Sequence, residues 1–533
     1  MQILTEPWLK VMEDGSPQTI PIANLVNPKV SDLAFSRADF NGAVYQMLIG
    51  LLQTAMPPKD IRQWQKLYYE PPTSDELTKA FAPYHSAFNL FTTELNESSE
   101  QPPAFMQDLT LSEGKLDDIA GLLLDAPGEN GIKNNTDHFI KRGVAKKACA
   151  SCCAAALYTR QTFANAAGKG YRTSIRGGGG GLASLVIPAG PATLWQKLWL
   201  NIVLAGHKEL KTEKSELSHI FPWLVPTSIS TTDKMVILPL QVNPLQMYWG
   251  MPCRIRLHEP INEPDYCDLC GDYCESLFHG FTYKGLGNNY GDGWQHVLTP
   301  YRHDKKNKSL LLSVKGKQGG LAYSDWLGLS LGDSDGVKPA AVVKDMYLNK
   351  RRRLKPADRD HKMWCYGFDM DKAKARCWYE HEMPFIEVSD ASKEIFEQQV
   401  QDYINLASET FSILRQSVKQ AWANRPKDLK GNTSKIDATF WSQTESEFFD
   451  IVQIMAKLAP DSQEWAECDD RWRKYMLSQL LSQFEHWALD RFTAERDMKR
   501  IIEARIGMKR IFYKSKAYSK LKQRIEQANK EAS

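Results

Sequence analysis

Two cysteine pairs constrain this chain more than any other feature. Cys149 and Cys152 stand in KKACASC, and Cys267 and Cys270 stand in CDLCG. Each pair has the spacing at which two thiolates grip one ion, and two such pairs close a tetrahedral shell around one zinc. A four-sulfur shell leaves no place for a reacting water, so the spacing points to a structural clamp and not a catalytic metal. It also requires two segments far apart in the sequence to meet in space. Cys153 and Cys274 lie beside the pairs and compete with them as ligands. Ten cysteines in 533 residues are no disulfide scaffold, and metal-spaced thiols suit a reducing compartment.

The first pair runs into a short apolar helix and then a stretch of glycines and small residues, flanked by Arg160, Lys169, Arg172 and Arg176. The combination reads as a surface that handles a nucleic-acid backbone beside the clamp. Gly177 to Gly181 taken alone reads as a flexible connector. The stretch carries no Walker A pattern and no dinucleotide fingerprint. A zinc deaminase needs H-x-E upstream of P-C-x-x-C. Here Tyr266 precedes Cys267 and His258 abuts Glu259, so that chemistry fails on spacing.

The length suggests more than one core, at roughly 150 residues per domain. A net charge of +3 with pI near 8.2 does not by itself indicate a polyanion partner. Any such surface must come from local clusters. Two stand out: Tyr301 to Lys308, with Lys305, Lys306 and Lys308, and the run KRRRLK from Lys350 to Lys355. No signal peptide is evident and no apolar run reaches about 18 residues, so a cytoplasmic protein without a membrane partner is expected.

In order along the chain, Met1 to Asn27 reads as strands and turns, and Ala43 to Met56 as a helix buried on most sides. Asp60 to Tyr69 and Thr73 to Pro83 read as short helices. Leu182 to Pro188 reads as a buried strand, Ala192 to Ala205 as an apolar helix, and Cys253 to Leu257 and Gly280 to Tyr283 as strands. GFDMDKAKARCWYEHEMP, Gly367 to Pro384, reads as strand, turn and strand, with Trp378 and Tyr379 filling the core. From Ser389, read as an N-cap, the period changes. Phe396, Val400, Tyr403, Ala407, Phe411, Leu414, Val418 and Ala421 step by threes and fours. Further helices follow at Ile436 to Leu458, Gln463 to about Phe492, and a basic one reaching about Gln527. The fold class is therefore α+β: a mixed, zinc-clamped domain over 1–388 and a C-terminal four-helix bundle over 389–533.

These motifs, in this order, resemble the CasA family, the large subunit of the type I-E Cascade complex of CRISPR immunity. The similarity spans essentially the whole chain. It rests on ILTEPWL at the start, PAFMQ at Pro103 to Gln107, CASC with the glycine loop and IRGG at Ile175 to Gly178, CDLCG, GFDMDKAKARCWYE and the helical C-terminus. The resemblance implies a non-enzymatic subunit. It would sit near the 5′ handle of the crRNA with the other Cascade subunits and read the motif flanking the target in double-stranded DNA (the PAM). It would then help open the duplex and dock a recruited helicase-nuclease. It places the zinc ligands on Cys149, Cys152, Cys267 and Cys270. A mobile loop contacting the RNA handle falls on His138 to Lys147, with Phe139, Lys141 and Arg142. The PAM-reading glycine loop falls on Ala166 to Gly170, with Gly168, Lys169 and Gly170, and the minor-groove lysine is Lys284. A strand-separating wedge falls on Asp371, Lys372 and Ala373; family members often carry glutamine where this chain has Lys372. Lys305, Lys306 and Lys308 would touch the displaced strand. The competing expectation is an enzyme, a stand-alone zinc-dependent nuclease or nucleic-acid modifier, using His296 and His303 near Asp292.

Overall fold

A computed structural model of the chain describes residues 1–91, 102–126, 144–165, 170–232, 235–333, 336–371, 374–389, 391–429, 434–459, 463–489 and 497–531. The chain forms two units. One comprises Met1–Gln318 and Pro339–Glu382, the other Gly319–Lys338 and Met383–Ser533. The architecture is mixed α/β in the first unit and helical in the second. No helix among the described residues is long and apolar enough to cross a membrane.

The first unit is arranged around the helix Ala38–Ala55, which is buried along nearly its whole circumference. A helix apolar on all sides has to lie inside. Gly42 lets a sheet approach it. A Cβ there would lie 2.6 Å from Trp378 Cζ2 and 2.9 Å from Tyr366 Cε2, and the Tyr366 hydroxyl donates to the Gly42 carbonyl at 2.7 Å. Tyr366 and Trp378 belong to a long antiparallel hairpin, His361–Asp371 and Lys374–Pro384. Ala183–Pro188 extends that sheet, in register from Tyr366 opposite Ala183 to His361 opposite Pro188. Trp378 also packs against Phe163 and Phe368, at 5.3 and 4.9 Å between ring centroids. Its neighbour Tyr379 projects to the other face of the strand, as the alternation of a pleated strand requires.

A second three-stranded sheet has Gly280–Lys284 between Lys115–Asp118 and Arg254–Leu257. The PAFMQ segment crosses beside it. Phe105 stacks on Phe88 at 5.4 Å within a cluster that includes Phe221, Trp223 and Trp249. Gln107 bonds the backbone of Leu257 and Leu90, and Asp108 pairs with Arg254 beneath the sheet.

The helix expected over Ala192 to Ala205 is only Leu194–Trp199. Thr193 and Gln196 start it with a reciprocal capping box. Asn201 then turns its amide onto both backbone groups of Val186, at 2.8 Å each, and leaves the helical ladder.

In the second unit, Lys393–Trp422 buries Phe396, Val400, Tyr403, Ala407, Leu414, Val418 and Ala421, with Phe411 half-buried. Ser389 is not its N-cap. Ser392 holds that position, and Ser389 Oγ accepts from the Ser392 N–H at 3.2 Å, closing the preceding turn. Ser434–Met455 and Gln463–Leu489 follow. The expected single basic helix is two, Met498–Tyr513 and Lys516–Glu531. Ser515 Oγ accepts from the Tyr518 N–H at 3.3 Å and starts the new helix, while Phe512, Tyr513 and Tyr518 pack their rings across the break. From Lys393 onward the described α-helices thus number five, where four were expected. The upstream segment Gly319–Lys338 supplies part of this core. Tyr323 stacks on Phe448 at 4.3 Å and its hydroxyl meets Thr444 Oγ1 at 2.9 Å. Arg524 bridges the buried carboxylates of Asp402 and Asp469, tying the last helix to the first and third.

Candidate metal centre and nucleic-acid interface

The four cysteine sulfurs meet. Cys149, Cys152, Cys267 and Cys270 each offer a ligand atom within 4.8 Å of all the others. Cys149 caps the helix Ala150–Thr162, which brings Cys152 to the same side one turn on. The Cys149 N–H donates to Cys267 Sγ at 3.3 Å and the Cys152 N–H to Cys149 Sγ at 3.5 Å. The second pair lies on a tight turn closed by Gly271, in the left-handed region at φ +78°, whose N–H donates to the Cys267 carbonyl. A strand pairing of Asp265–Tyr266 with Tyr273–Cys274 supports it. The two segments are also tied outside the sulfurs. Asp268 accepts from the backbone N–H groups of Lys146 and Lys147, Lys147 pairs with Asp265, and Lys10 pairs with Asp272.

Donor chemistry and spacing fit a thiophilic divalent ion. A tetrahedral ion with sulfurs at about 2.3 Å sets them ~3.8 Å apart, and Cys149 Sγ lies 3.8 Å from Cys270 Sγ. Hydrogen bonds among the four sulfurs hold Cys267 and Cys270 below the usual thiol range and push Cys149 and Cys152 above it, so protons in the cluster gather on the first pair. Cys153 and Cys274 do not join. Cys153 Sγ faces the Ala148 carbonyl and Cys274 Sγ the Asp272 carbonyl. Among the described residues this is the one group of three or more potential metal ligands.

The glycines after the first pair are no flexible connector. Gly179, Gly180 and Gly181 are buried, and a Cβ at Gly180 would lie 2.6 Å from Phe163 Cδ1 and 3.0 Å from the Thr162 carbonyl. Its φ of +72° also makes most other residues costly there. Lys315 Nζ crosses the turn to the carbonyls of Arg176 and Gly180. Gly180→Ala is expected to destabilise the protein by about 2–3 kcal/mol, combining left-handed strain with overpacking. Gly190→Ala, where nothing lies within 4 Å and φ is ordinary, is expected to stay within about 0.5 kcal/mol. Denaturant melts of the two variants check this.

The basic flanks separate into different roles. Arg176 is 5% exposed, with its guanidinium over the Phe163 ring and on Thr299 Oγ1 at 3.1 Å. Burial lowers its pKa. It holds the core and is not offered to phosphates. Arg172 reaches Ser230, donating from Nε to Oγ at 2.7 Å and from Nη2 to the carbonyl at 2.6 Å. Gly170 and Lys284 come together. The Leu286 N–H donates to the Gly170 carbonyl at 2.7 Å, and Lys284 is exposed at the end of its strand. Gly168 and Lys169 lie outside the described residues, as do Phe139, Lys141 and Arg142.

Asp371 is the last described residue of its strand and is exposed, 3.7 Å from Arg376 Nη1. Arg376 grips Asp369 with two bonds of 2.8 Å. Lys372 and Ala373 lie outside the described residues. Lys305, Lys306 and Lys308 are exposed on the turn after Tyr301–His303, whose shape is fixed by Asp304 accepting from two backbone N–H groups. None of the three forms an ion pair among the described residues. His296 and His303 are each engaged within the fold. Burial and the Arg176 charge push the His296 pKa well down, its Nδ1 accepts from the Leu298 N–H, and its ring packs on Tyr248. His303 Nδ1 is on the Lys308 carbonyl at 2.6 Å.

The sequence profile of the CRISPR-associated protein Cse1 family matches residues 2–483. The chain belongs to the Cse1 family. Solved Cse1 structures share its fold. Thermus thermophilus CasA superposes with a TM-score of 0.69 at 16% identity, covering 97% of this chain and 100% of that one. Thermobifida fusca Cse1 gives 0.66 at 16% identity, covering 99% and 98%. A chain from a structure described as a CRISPR RNA-guided surveillance complex gives 0.63 at 14% identity, covering 96% and 99%. Identity this low carries the fold of a Cse1 protein and leaves side-chain roles to this chain's own geometry. Sequence reasoning missed two of those roles in this Cse1 chain. Asp268, between the second pair of cysteines, joins the two cysteine-bearing segments. Leu286 holds a left-handed conformation at φ +64°, and its only signal is the glycine on either side.

Proposed function

We propose that this chain is the large subunit of a type I-E CRISPR Cascade complex. It reads the PAM in double-stranded DNA, promotes strand opening beside the guide RNA, and docks a recruited helicase-nuclease, with no chemistry of its own. The observation that carries this reading is the bond between Leu286 and Gly170, which sets the end of the glycine loop beside exposed Lys284. A loop of alanines and glycines around one lysine, Lys169, with Lys284 beside its end, suits a narrow groove, where the code is degenerate and several flanking sequences are tolerated. Sequence identity is left to RNA–DNA pairing. Zinc in the four-cysteine centre holds the segments that frame this surface.

The wedge is assigned to Asp371, at the end of its strand, with Lys372 and Ala373, which follow it in sequence. Prying bases apart costs a few kcal/mol per step, and the hairpin is anchored for such a load by Trp378 and Tyr366 against the buried helix. Lys305, Lys306 and Lys308 are suited to the displaced strand, whose phosphates would make binding salt-dependent. Phe139, Lys141 and Arg142 are assigned to the RNA handle. In the reconstituted complex, Lys372→Ala is expected to slow opening of matched duplex by about tenfold, ~1.4 kcal/mol in barrier. Binding to a target already opened as a bubble should change less than about twofold, roughly 0.4 kcal/mol. Equal loss on both substrates would remove the wedge from the assignment.

A further inference from the structure

We propose that Arg172 and Ser230 are positioning residues that lock Gly170 and Lys284 into one rigid reading head. The inference rests on the duplex-reading role argued above and adds residues that touch neither DNA nor RNA. Three chain segments converge here. The Arg172 guanidinium donates to both the hydroxyl and the carbonyl of Ser230. Ser230, only 1% exposed, passes the constraint on. Its N–H donates to the Leu286 carbonyl at 3.1 Å and its Oγ to the Gly287 carbonyl at 2.7 Å. Leu286 in turn donates to Gly170.

The backbone shows what the clasp enforces. Leu286 sits at φ +64°, a conformation that strains any residue with a β-carbon and persists only where neighbours over-determine it. Both of its backbone groups are bonded, one to each neighbouring segment. At Gly285 a Cβ would lie 3.2 Å from the Gly170 carbonyl, and at Gly287 it would lie 2.0 Å from the Pro252 carbonyl. The three segments are therefore packed backbone to backbone. Tyr171 follows Gly170, Tyr283 precedes Lys284, and their rings stack at 5.3 Å and 23°. The two reading positions are thus joined by a ring stack on one side and a hydrogen bond on the other. Arg172 and Ser230 hold the loop that makes the hydrogen bond. A groove reader gains discrimination when its contacts are fixed in advance, because a wrong duplex then meets a misfit instead of an adaptable loop.

The test uses the complete reconstituted complex with its guide. Affinity is measured for matched duplex with permissive flanking bases, for the same duplex with scrambled flanks, and for single-stranded target. Ser230→Ala is expected to weaken binding to the permissive duplex about tenfold and to bring the permissive-to-scrambled ratio close to one. Single-strand affinity should hold, and the thermal midpoint should fall by no more than about 3 °C. Ser230→Thr, which keeps the hydroxyl, should restore the ratio. Arg172→Ala should repeat the Ser230→Ala result. A purely structural residue would lower the midpoint and all three affinities together, and that pattern overturns the proposal. Lys284→Ala separates the two levels. If it abolishes discrimination while folded Ser230→Ala and Arg172→Ala keep it, the clasp is wrong and the reading site stands. If wild-type complex shows no dependence on flanking bases, both fall.

Discussion

Cys149→Ser combined with Cys267→Ser is expected to abolish zinc binding by the chain and lower the thermal midpoint of the first unit by about 10 °C or more. One sulfur is removed from each pair, so neither half-site retains a full grip. Structural zinc sites contribute on the order of 10 kcal/mol of apparent binding free energy. Here an ion would join segments that hydrogen bonds and ion pairs already align, so part of the fold should survive its loss. The sulfurs converge within 4.8 Å. Without a cation, four thiolates at this spacing repel, and the site keeps protons that weaken it. Metal analysis should give about one zinc per wild-type chain and none in the double variant. A chelator should lower the wild-type midpoint and leave the variant's unchanged. Cys377→Ser, at an exposed position, should leave metal content as in wild type and move stability by less than about 0.5 kcal/mol. Wild-type protein free of metal, with an unchanged midpoint in the double variant, would show the cysteines are not a clamp.

The four-cysteine cluster was legible because ligand spacing is local and the chemistry of sulfur is narrow. Two CxxC pairs name four residues, and the fold brings those four together without Cys153 or Cys274. Long periodic stretches were legible for a similar reason. The apolar run beginning at Ala43 and the stripe from Phe396 to Ala421 announce helices whatever surrounds them. What the sequence hid was decided by single side chains bonding across the chain. Asn201 ends a helix early because its amide is needed by Val186. Ser515 splits a basic helix that contains no proline at the break. Gly179 to Gly181 look like a linker in sequence, since nothing local reveals that Phe163, Met370 and Thr299 press on them. Charge was the least reliable signal. Arg176 and Lys350 sit in basic stretches and are both buried.

Lys350→Ala is expected to destabilise the first unit by about 3–5 kcal/mol, the range for removing one partner of a buried ion pair. The run KRRRLK suggests a solvated basic surface, yet the Lys350 side chain is fully buried. Its ammonium lies 2.9 Å from Asp345 Oδ2, donates to the carbonyls of Leu200 and Ile202 at 3.0 and 2.9 Å, and stands 5.2 Å over the Trp64 ring. Burial alone would push the Asp345 carboxyl up, but Lys350 and Asn349 outweigh it and hold the pKa below the usual carboxylate range. Removing the lysine leaves that carboxylate charged among apolar groups and two carbonyls without their donor. The pH dependence follows in sign. In wild type the depressed Asp345 pKa contributes stability above the ordinary carboxylate range, and this is lost as pH falls through the folded value. In Lys350→Ala the same carboxyl is raised by burial, so its penalty is full near neutrality and eases on acidification. The two stability curves should therefore converge between about pH 7 and pH 4. Asp345→Asn added to Lys350→Ala should recover part of the loss at neutral pH by removing the stranded charge. Arg353→Ala, exposed three residues on, should stay within about 0.5 kcal/mol. A gap between wild type and Lys350→Ala that stays constant with pH would mean packing alone, and not the buried charge, sets the cost.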